Sequence, residues 1–335
     1  MRVLVTGGTG FTGKALALRL AREGHEVTAL DCREGLRTDE LRAAGVRVVL
    51  GSVADAAAVD ATMAGVERVF HLAAAFRETG MPDRHYHEVN AEGTRLVADV
   101  ALRHGAGKLV YCSTCGVHGS VDSPPAGEDA PIRPRDTYQQ TKYEGELVLA
   151  PFAERGLPVT ILRPAAIYGP GDPARFLMIF RRVERGLFPM FGDGRTLYHP
   201  LYIDNLVDAF LAVMEPGRGD GEAYLVADAE HVTIEQLVRA VASALAVAVR
   251  IPHLPLAPLV AAGHLSDVLL RPLGLPPSLF PRRVDWFRSV RAFRIEKARR
   301  ELGWEPLVGL EEGLRRTAEW YRAHGYLRPA GERAA

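Results

Sequence analysis

Cysteine is scarce in this chain of 335 residues, which contains only Cys32, Cys112 and Cys115. So few thiols do not make the disulfide framework of a small secreted protein, and they fit a reducing cytosol. Cys112 and Cys115 have the spacing of a redox or zinc pair, but they begin at the end of a predicted strand and no second pair exists. We therefore predict neither a metal site nor a redox centre from them.

Net charge and long apolar runs are also lacking. Lysine plus arginine and aspartate plus glutamate number 41 each, so the formal net charge is zero and no nucleic-acid partner is expected. The most apolar segment, residues 251–270, is interrupted by proline, histidine and aspartate, and it falls short of a membrane span of about 20 apolar residues. The chain begins with a strand pattern rather than a signal-peptide pattern, so we expect a cytoplasmic protein with no membrane span.

Three glycines follow the first apolar strand in the arrangement of a dinucleotide-binding turn. Gly7, Gly10 and Gly13 have the spacing G-x-x-G-x-x-G, and a helical pattern starts directly after them. Such glycines allow a tight turn, a close approach of the backbone to a pyrophosphate, and close packing of helix on strand. Asp31 ends the second strand and is placed to accept hydrogen bonds from an adenosine ribose. This acid would repel a 2′-phosphate and so favours NAD, whereas Arg33 keeps NADP as the less favoured alternative.

Strands and helices alternate through the first half of the chain. Apolar strand patterns at residues 46–50, 66–72 and 108–112 are separated by helical patterns at 56–63 and 84–104. This alternation predicts an α/β fold with a Rossmann-type, doubly wound parallel sheet. Small residues after the strand at 66–72 would let the chain pass close to a cofactor.

A tyrosine and a lysine four residues apart, Tyr138 and Lys142, share one face of a predicted helix. A free phenol has a pKa of about 10, and a cation one turn away lowers this pKa because it favours the phenolate. A hydroxyl from Ser113 or Thr114 would orient a substrate alcohol towards the phenolate oxygen. The spacing alone is common by chance, so its weight depends on the dinucleotide-binding pattern upstream. His71 is expected to be a packed histidine at a strand end rather than a catalytic group.

These motifs occur together in an order that resembles a known family. The chain is similar to the extended short-chain dehydrogenase/reductases of the NAD-dependent epimerase/dehydratase and 3β-hydroxysteroid dehydrogenase type. The matching segments, in chain order, are Thr6–Gly13, Asp31, His71–Ala74, Val89–Thr94, Ser113–Gly119, Tyr138 with Lys142, Arg163–Asp172 and Ala298–Trp304.

The resemblance implies a catalytic set and a cofactor site. Thr114 would orient the substrate, Tyr138 would be the acid/base, and Lys142 would lower the pKa of the tyrosine and bind the nicotinamide ribose. The implied chemistry is hydride transfer at a secondary alcohol or ketone, with the redox chemistry carried by the cofactor. The residues expected at the cofactor are Gly7, Gly10, Phe11, Thr12, Gly13, Asp31, Arg33, Ser52, Val53, Leu72, Ala73, Ala74, Asn90, Ser113, Tyr138, Lys142, Pro164 and Ile167.

The same resemblance implies how the chain is divided and assembled. Residues 1–165 plus 200–228 would form the NAD-binding domain, residues 166–199 and 229–327 a smaller substrate domain, and residues 328–335 a disordered tail. The family commonly dimerises through two helices. The apolar residues compatible with a homodimer here are Leu96, Val100, Leu147 and Leu149, and ordinary core packing explains them equally well.

The sequence departs from the nucleotide-sugar members of the family where they bind substrate. Their pattern has an asparagine where this chain has Ala166, and an arginine that grips the diphosphate where it has Tyr198, beside His199. Their C-terminal R-P-G-D segment is also missing. Arg195, Arg282, Arg283 or Arg291 could substitute, although surface charge explains these residues equally well. A site without a bidentate cation binds a diphosphate less well.

The apolar segment at residues 251–280 resembles the corresponding region of hydroxysteroid and sterol dehydrogenases. It would either wall a pocket for an apolar alcohol or form the core of a small domain. We expect a dehydrogenase or reductase for a largely apolar, steroid- or lipid-like small molecule, with a nucleotide-sugar epimerase or dehydratase as the alternative. A non-catalytic NAD-sensing protein is disfavoured because the catalytic set is intact. The residues expected at the substrate are Phe76, Thr114, Ala166, Tyr198 and His199.

Overall fold

A seven-stranded parallel sheet forms the centre of the computed structural model, which describes residues 1–76, 81–172, 175–261 and 285–329. The strands of the protein are β1 (Arg2–Thr6), β2 (Glu26–Asp31), β3 (Arg47–Leu50), β4 (Arg68–His71), β5 (Lys108–Cys112), β6 (Val159–Pro164), β7 (Ala166–Tyr168), β8 (Met190–Phe191), β9 (Leu197–Tyr198), β10 (Pro200–Tyr202), β11 (Ala223–Val226), β12 (Val232–Thr233) and β13 (His253–Leu254). The order across the main sheet is β11-β6-β5-β4-β1-β2-β3, with every pair parallel. This confirms the predicted doubly wound fold, and the strand order reverses between β1 and β4, where such sheets bind ligands.

Eleven named helices accompany the strands in the described residues. They are α1 (Phe11–Arg22), α2 (Thr38–Ala43), α3 (Ala56–Met63), α4 (Asp83–His87), α5 (Gly93–Arg103), α6 (Thr137–Glu154), α7 (Arg175–Glu184), α8 (Ile203–Ala212), α9 (Ile234–Leu245), α10 (Glu296–Leu302) and α11 (Leu310–Ala323). A π-helical turn, Glu88–Glu92, joins α4 to α5. The single helix predicted at 84–104 is therefore three consecutive segments, because the π turn widens the helix locally. The short α2 was not predicted, since six residues are too few to show a helical period.

Helices cover both faces of the main sheet. Helices α1 and α8 pack on one face, where Leu16, Leu20 and Phe210 are fully buried. Helices α3, α5 and α6 pack on the other face through side chains such as Val97 and Leu149. The apolar residues of α1 repeat at three- and four-residue intervals, so one side of the helix faces the sheet and the other faces solvent.

A second apolar cluster joins α7, α9 and α11. Phe180, Val241 and Tyr321 are fully buried there. Helix α9 begins with the predicted capping box, in which the side chains of Thr233 and Gln236 each bond the backbone of the other. The division into two domains stays a prediction. The packing differs from it at residues 295–304, which belong to the cluster on the α1 face of the main sheet.

Asn205 fastens the C-terminal segment to α8. Its amide nitrogen donates to the Asp228 carboxylate and to the Val308 carbonyl, each at 2.8 Å, and its oxygen accepts from the Val308 N–H at 3.0 Å. The indole of Trp304 donates to the Asn205 carbonyl at 3.0 Å. Burial raises the pKa of Asp228 to about 6. One side chain thus holds two distant segments together in the interior.

None of the helices among the described residues has the length and apolarity needed to cross a membrane. Much of the predicted apolar wall at 251–280 lies outside the described residues, because the described chain stops at 261 and resumes at 285. Arg282, Arg283 and most of the predicted tail also lie outside them.

Candidate active site

The turn between β1 and α1 is so close to its neighbours that Gly7 and Gly13 leave no space for a side chain. Gly7 has a φ of 67°, and a Cβ there would lie 2.7 Å from the backbone nitrogen of Ala73. A Cβ on Gly13 would lie 2.1 Å from the carbonyl oxygen of Gly7. Gly10 caps α1 without a side-chain hydrogen bond, so no capping side chain occupies the first N–H groups of the helix. This is the geometry in which a helix N-terminus receives a pyrophosphate.

The acid that ends β2 lies beside this turn. Asp31 accepts a hydrogen bond from the Thr9 N–H at 3.1 Å, and the Thr9 hydroxyl donates to the Arg33 carbonyl at 2.8 Å. These two bonds join the glycine turn to the segment that follows β2. They hold the carboxylate at the edge where the adenosine ribose was predicted to bind, and the contact with a ribose stays a prediction.

A chain of hydrogen bonds runs from the end of β1 through the buried His71 to α5. The Thr94 hydroxyl donates to the Asn90 carbonyl at 2.7 Å, so its oxygen accepts from His71 Nε2 at 2.9 Å. His71 Nδ1 then accepts from the Thr6 hydroxyl at 2.7 Å, and the Thr6 oxygen accepts from the Ala73 N–H at 3.2 Å. This direction fixes the imidazole as its neutral Nε2–H form. Burial lowers the pKa of His71 to about 3, in agreement with the packed role expected for it.

Asn90 lies in the π turn and fastens the segment after β4 to α6. Its oxygen accepts from the Ala75 N–H at 2.8 Å, and its nitrogen donates to the Ala75 carbonyl at 3.2 Å and to the Thr141 hydroxyl oxygen at 2.9 Å. The side chain is fully buried. The predicted contact of Asn90 with the cofactor stays a prediction, and the observed bonds of its side chain fix the position of Ala75.

The predicted acid/base pair lies in the first two turns of α6. Asp136 caps this helix by accepting from the Gln139 N–H at 2.9 Å, so Tyr138 and Lys142 follow one turn apart. Lys142 is 1% exposed, and its ammonium has no hydrogen-bond partner among the described residues. Nζ lies 4.1 Å from the centre of the Tyr111 ring. Burial lowers the pKa of Lys142 to about 8, and Cys112 and Glu146 oppose this shift.

The two hydroxyls at the end of β5 have different surroundings. Thr114 begins a 3₁₀ turn and accepts from the Gly116 N–H at 3.0 Å. Ser113 is buried, and its hydroxyl donates to the carboxylate of Glu146. Sequence reasoning missed Glu146, although its position four residues after Lys142 places it on the same face of α6.

An aromatic side chain stands beside the candidate acid/base. The ring centres of Phe76 and Tyr138 are 4.7 Å apart, and Phe76 is 42% exposed. The structure thus brings together the predicted catalytic tyrosine and one predicted substrate residue. Ala166 lies in β7, paired with Pro200 in β10, and is 8% exposed.

The other two residues expected at the substrate lie in the interior. Tyr198 is 1% exposed and packs against the rings of Phe176 and Trp286. His199 Nδ1 accepts from the Phe293 N–H at 3.2 Å, and Nε2 therefore donates to the Asp228 carbonyl at 2.9 Å. The polar contacts of His199 hold backbone segments together, and this is the role that the geometry supports for it.

The remaining residues expected at the cofactor lie where β1, β3, β4 and β6 end, or in β7. The carboxyl ends of parallel strands lie along one edge of a sheet, and this edge includes the switch point between β1 and β4. These residues are Phe11, Thr12, Ser52, Val53, Leu72, Ala74, Pro164 and Ile167. Their contact with a cofactor stays a prediction.

The three cysteines, all among the described residues, are not joined in a disulfide. Burial raises the pKa of Cys112 to about 11. Within the described residues no group of three histidine, cysteine, aspartate or glutamate side chains could hold a metal ion.

Fold and site together define an α/β protein of the dinucleotide-binding class with a tyrosine–lysine pair on the helix that follows β5. A family model for the NAD-dependent epimerase/dehydratase family matches residues 3–227. The chain belongs to this family of extended short-chain dehydrogenase/reductases. The predicted family is thereby confirmed, and so is the prediction of an enzyme, because the family and its members are NAD-dependent dehydrogenases, reductases and epimerases.

Relatives of two kinds are similar over most of the chain. A 2-alkyl-3-oxoalkanoate reductase of Stenotrophomonas maltophilia is 33% identical over 94% of this chain and 98% of that protein. Isoform 1 of a 3β-hydroxysteroid dehydrogenase/decarboxylase of Arabidopsis thaliana is 30% identical over 94% of this chain and 78% of that protein. The crystal structure of a UDP-glucose 4-epimerase of Thermotoga maritima, with UDP-glucose, has a TM-score of 0.79 and 26% identity, and covers 97% of this chain and 99% of that one.

Proposed function

We propose that the protein is an NAD-dependent dehydrogenase or reductase that acts at a secondary alcohol or ketone of a largely apolar, lipid-like molecule. One observation carries the substrate class: the half-exposed ring of Phe76 lies 4.7 Å from the ring of Tyr138, centre to centre. An apolar ring at this place gives the acid/base an apolar neighbour, and it offers nothing to a diphosphate. The likeness to a 2-alkyl-3-oxoalkanoate reductase supports the same class.

In the proposed reaction, Tyr138 exchanges one proton with the substrate oxygen. During reduction the phenol gives its proton to the ketone oxygen as the carbonyl carbon accepts a hydride; during oxidation the phenolate takes the hydroxyl proton. Lys142 favours the phenolate by its charge from one helical turn away. The Thr114 hydroxyl holds the substrate oxygen towards the tyrosine.

The residues present fit a bound nicotinamide dinucleotide. The buried ammonium of Lys142 lacks a hydrogen-bond partner among the described residues, and a ribose hydroxyl would satisfy it. The glycine turn would hold the pyrophosphate, and Asp31 would bind the adenosine ribose. When bound, the nicotinamide would supply the group that accepts or donates the hydride. We propose NAD rather than NADP, since a 2′-phosphate would lie against the carboxylate of Asp31.

A second candidate function is epimerisation or dehydration of a nucleotide sugar. It is favoured by the likeness to the UDP-glucose 4-epimerase, which extends over nearly the whole of both chains. An epimerase regenerates its NAD in every turnover, whereas a dehydrogenase produces a net change in NADH. Incubation with NADH and a 2-alkyl-3-oxoalkanoate, and separately with UDP-glucose, distinguishes the two. We expect NADH to be consumed with the former and no epimer to form with the latter.

Tyr138→Phe tests the mechanism. Removal of the phenol oxygen should lower turnover by about 10²–10⁴-fold, the usual contribution of general acid–base catalysis. Affinity for NADH, measured by fluorescence titration, should change little. Tyr143→Phe is the matched control, because Tyr143 is on the same helix and directly follows Lys142. Turnover by Tyr138→Phe at the rate of the control would contradict the proposed acid/base.

A further inference from the structure

Glu146, on α6, is the centre of a buried network that the proposed reaction leaves without a role. Oε1 accepts from the Ser113 hydroxyl and from Arg163 Nε at 3.0 Å, and Oε2 accepts from Arg163 Nη2 at 2.6 Å. Arg163 Nη1 donates to His118 Nε2 at 3.2 Å, and His118 Nδ1 donates to the Ala130 carbonyl at 3.0 Å. The side chains of Glu146 and Arg163 are only 4% and 9% exposed.

Stability alone is a weak reason for this arrangement. The desolvation of two buried charges offsets most of their attraction, and an apolar pair of similar volume usually stabilises a fold as well. The network instead links the elements that carry the candidate catalytic groups. Ser113 directly precedes Thr114 at the end of β5, and Glu146 follows Lys142 by one turn of α6. The network therefore fixes the end of β5 against α6.

The charge of Glu146 also acts on Lys142. Burial raises the pKa of Cys112 to about 11 and lowers that of His71 to about 3, so both are uncharged near neutral pH. Burial likewise raises the pKa of Tyr111. The titratable groups that act on the ammonium among the described residues are His71 on β4, Tyr111 and Cys112 on β5, and Glu146 on α6, and Tyr138 precedes Lys142 by one turn of the same helix. Apart from the reacting phenol, the carboxylate is thus the one anion in this set.

We propose that Glu146 is a positioning residue whose negative charge offsets that of the Lys142 ammonium and thereby sets the pH range in which Tyr138 exchanges its proton. This inference rests on the proposed function, because it concerns the same site. Removing the carboxylate charge makes the site more positive. A more positive site favours both the phenolate and the neutral amine, so both titrations move to lower pH.

The test is a titration of Tyr138 that needs no substrate. The ultraviolet absorbance of the phenolate is followed against pH with NAD present, and the same curve from a Tyr138→Phe background is subtracted. In Glu146→Gln the midpoint should fall by about 0.5 to 1 pH unit, the effect of an opposite charge about one helical turn away and partly neutralised by its partner. Glu146→Asp keeps the charge and should leave the midpoint near that of the wild type.

Glu144→Gln is the matched control, because Glu144 is an acid on the same helix but pairs with His87. This substitution should not move the midpoint of the Tyr138 titration. If Glu146→Gln does not fold, Glu146→Gln with Arg163→Met leaves no lone buried charge and should shift the midpoint in the same direction by less. An unchanged midpoint in these variants overturns the role of Glu146. The absence of any Tyr138 titration below the ordinary phenol range overturns the proposed acid/base instead.

Discussion

The two asparagines of this chain, Asn90 and Asn205, allow a matched test of how the site is held. Each side chain is buried, and each makes three hydrogen bonds: two to the N–H and carbonyl of one residue and one to another side chain. Asn90 holds Ala75, two residues after Ala73, whose backbone lies against Gly7 of the glycine turn. Asn205 holds Val308, in the C-terminal segment.

Replacement by alanine should destabilise the protein in both cases. A buried polar group left without a partner costs about 1–3 kcal/mol. Ala75 is buried, so Asn90→Ala leaves the N–H and the carbonyl of Ala75 without hydrogen-bond partners. We therefore expect a loss of about 2–4 kcal/mol in the free energy of unfolding. Val308 is half-buried and water can reach it, so Asn205→Ala should lose about 1–3 kcal/mol. Both losses lie within the total of about 5–15 kcal/mol typical of a folded protein.

The affinity for the cofactor distinguishes the two variants. Urea unfolding gives the stability of each, and NADH fluorescence titration of the folded variant gives its affinity. Asn90→Ala should bind NADH about tenfold more weakly, equivalent to about 1.4 kcal/mol, because the segment beside the glycine turn is released. Asn205→Ala should bind as the wild type does. Equal affinities in the two variants would refute the indirect role given to Asn90, and a loss of stability below about 0.5 kcal/mol would refute the hydrogen-bond reasoning itself.

Two further predictions concern single acids. The folded-state pKa of Asp228, about 6, is above its ordinary unfolded value of about 3.9, so the protonated side chain favours the folded state. This contribution to the free energy of unfolding is complete below about pH 4 and is lost as the pH rises through 6. Asp228→Asn should therefore gain about 2 kcal/mol over the wild type at pH 8 and much less at pH 4.5 in urea unfolding, and an equal gain at both pH values would contradict this assignment. Asp31→Ser should raise the ratio of NADPH to NADH affinity by about tenfold, measured by fluorescence titration, because the repelling carboxylate is gone. An unchanged ratio would show that Asp31 does not select the cofactor.

The parts of the site that sequence reasoning found are those written in short, local motifs. Gly7, Gly10 and Gly13 are identified by their spacing and by the strand and helix around them, and the structure shows that Gly7 and Gly13 pack closely on neighbouring backbone. Tyr138 and Lys142 are one turn apart on a helix, which a periodic pattern can reveal. The parallel sheet follows in the same way from the alternation of strands and helices.

What was missed depends on contacts between distant segments. The bond between Ser113 and Glu146 joins residues 33 positions apart, and no local pattern distinguishes Glu146 from other acids on α6. The burial of Tyr198 against Phe176 and Trp286 likewise arises only when α7 and the C-terminal segment come together. A family pattern could place Tyr198 at a substrate position, but it could not show that the ring faces the interior.

The neutral imidazole of His71 makes the site observable without any ligand. It has a single proton, on Nε2, held by Thr94, while Nδ1 is held by Thr6. A proton in such a place exchanges slowly with solvent and gives its own magnetic resonance signal. Because its two partners belong to the end of β1 and to α5, the signal would report directly whether the dinucleotide turn and the helical layer behind it remain in register.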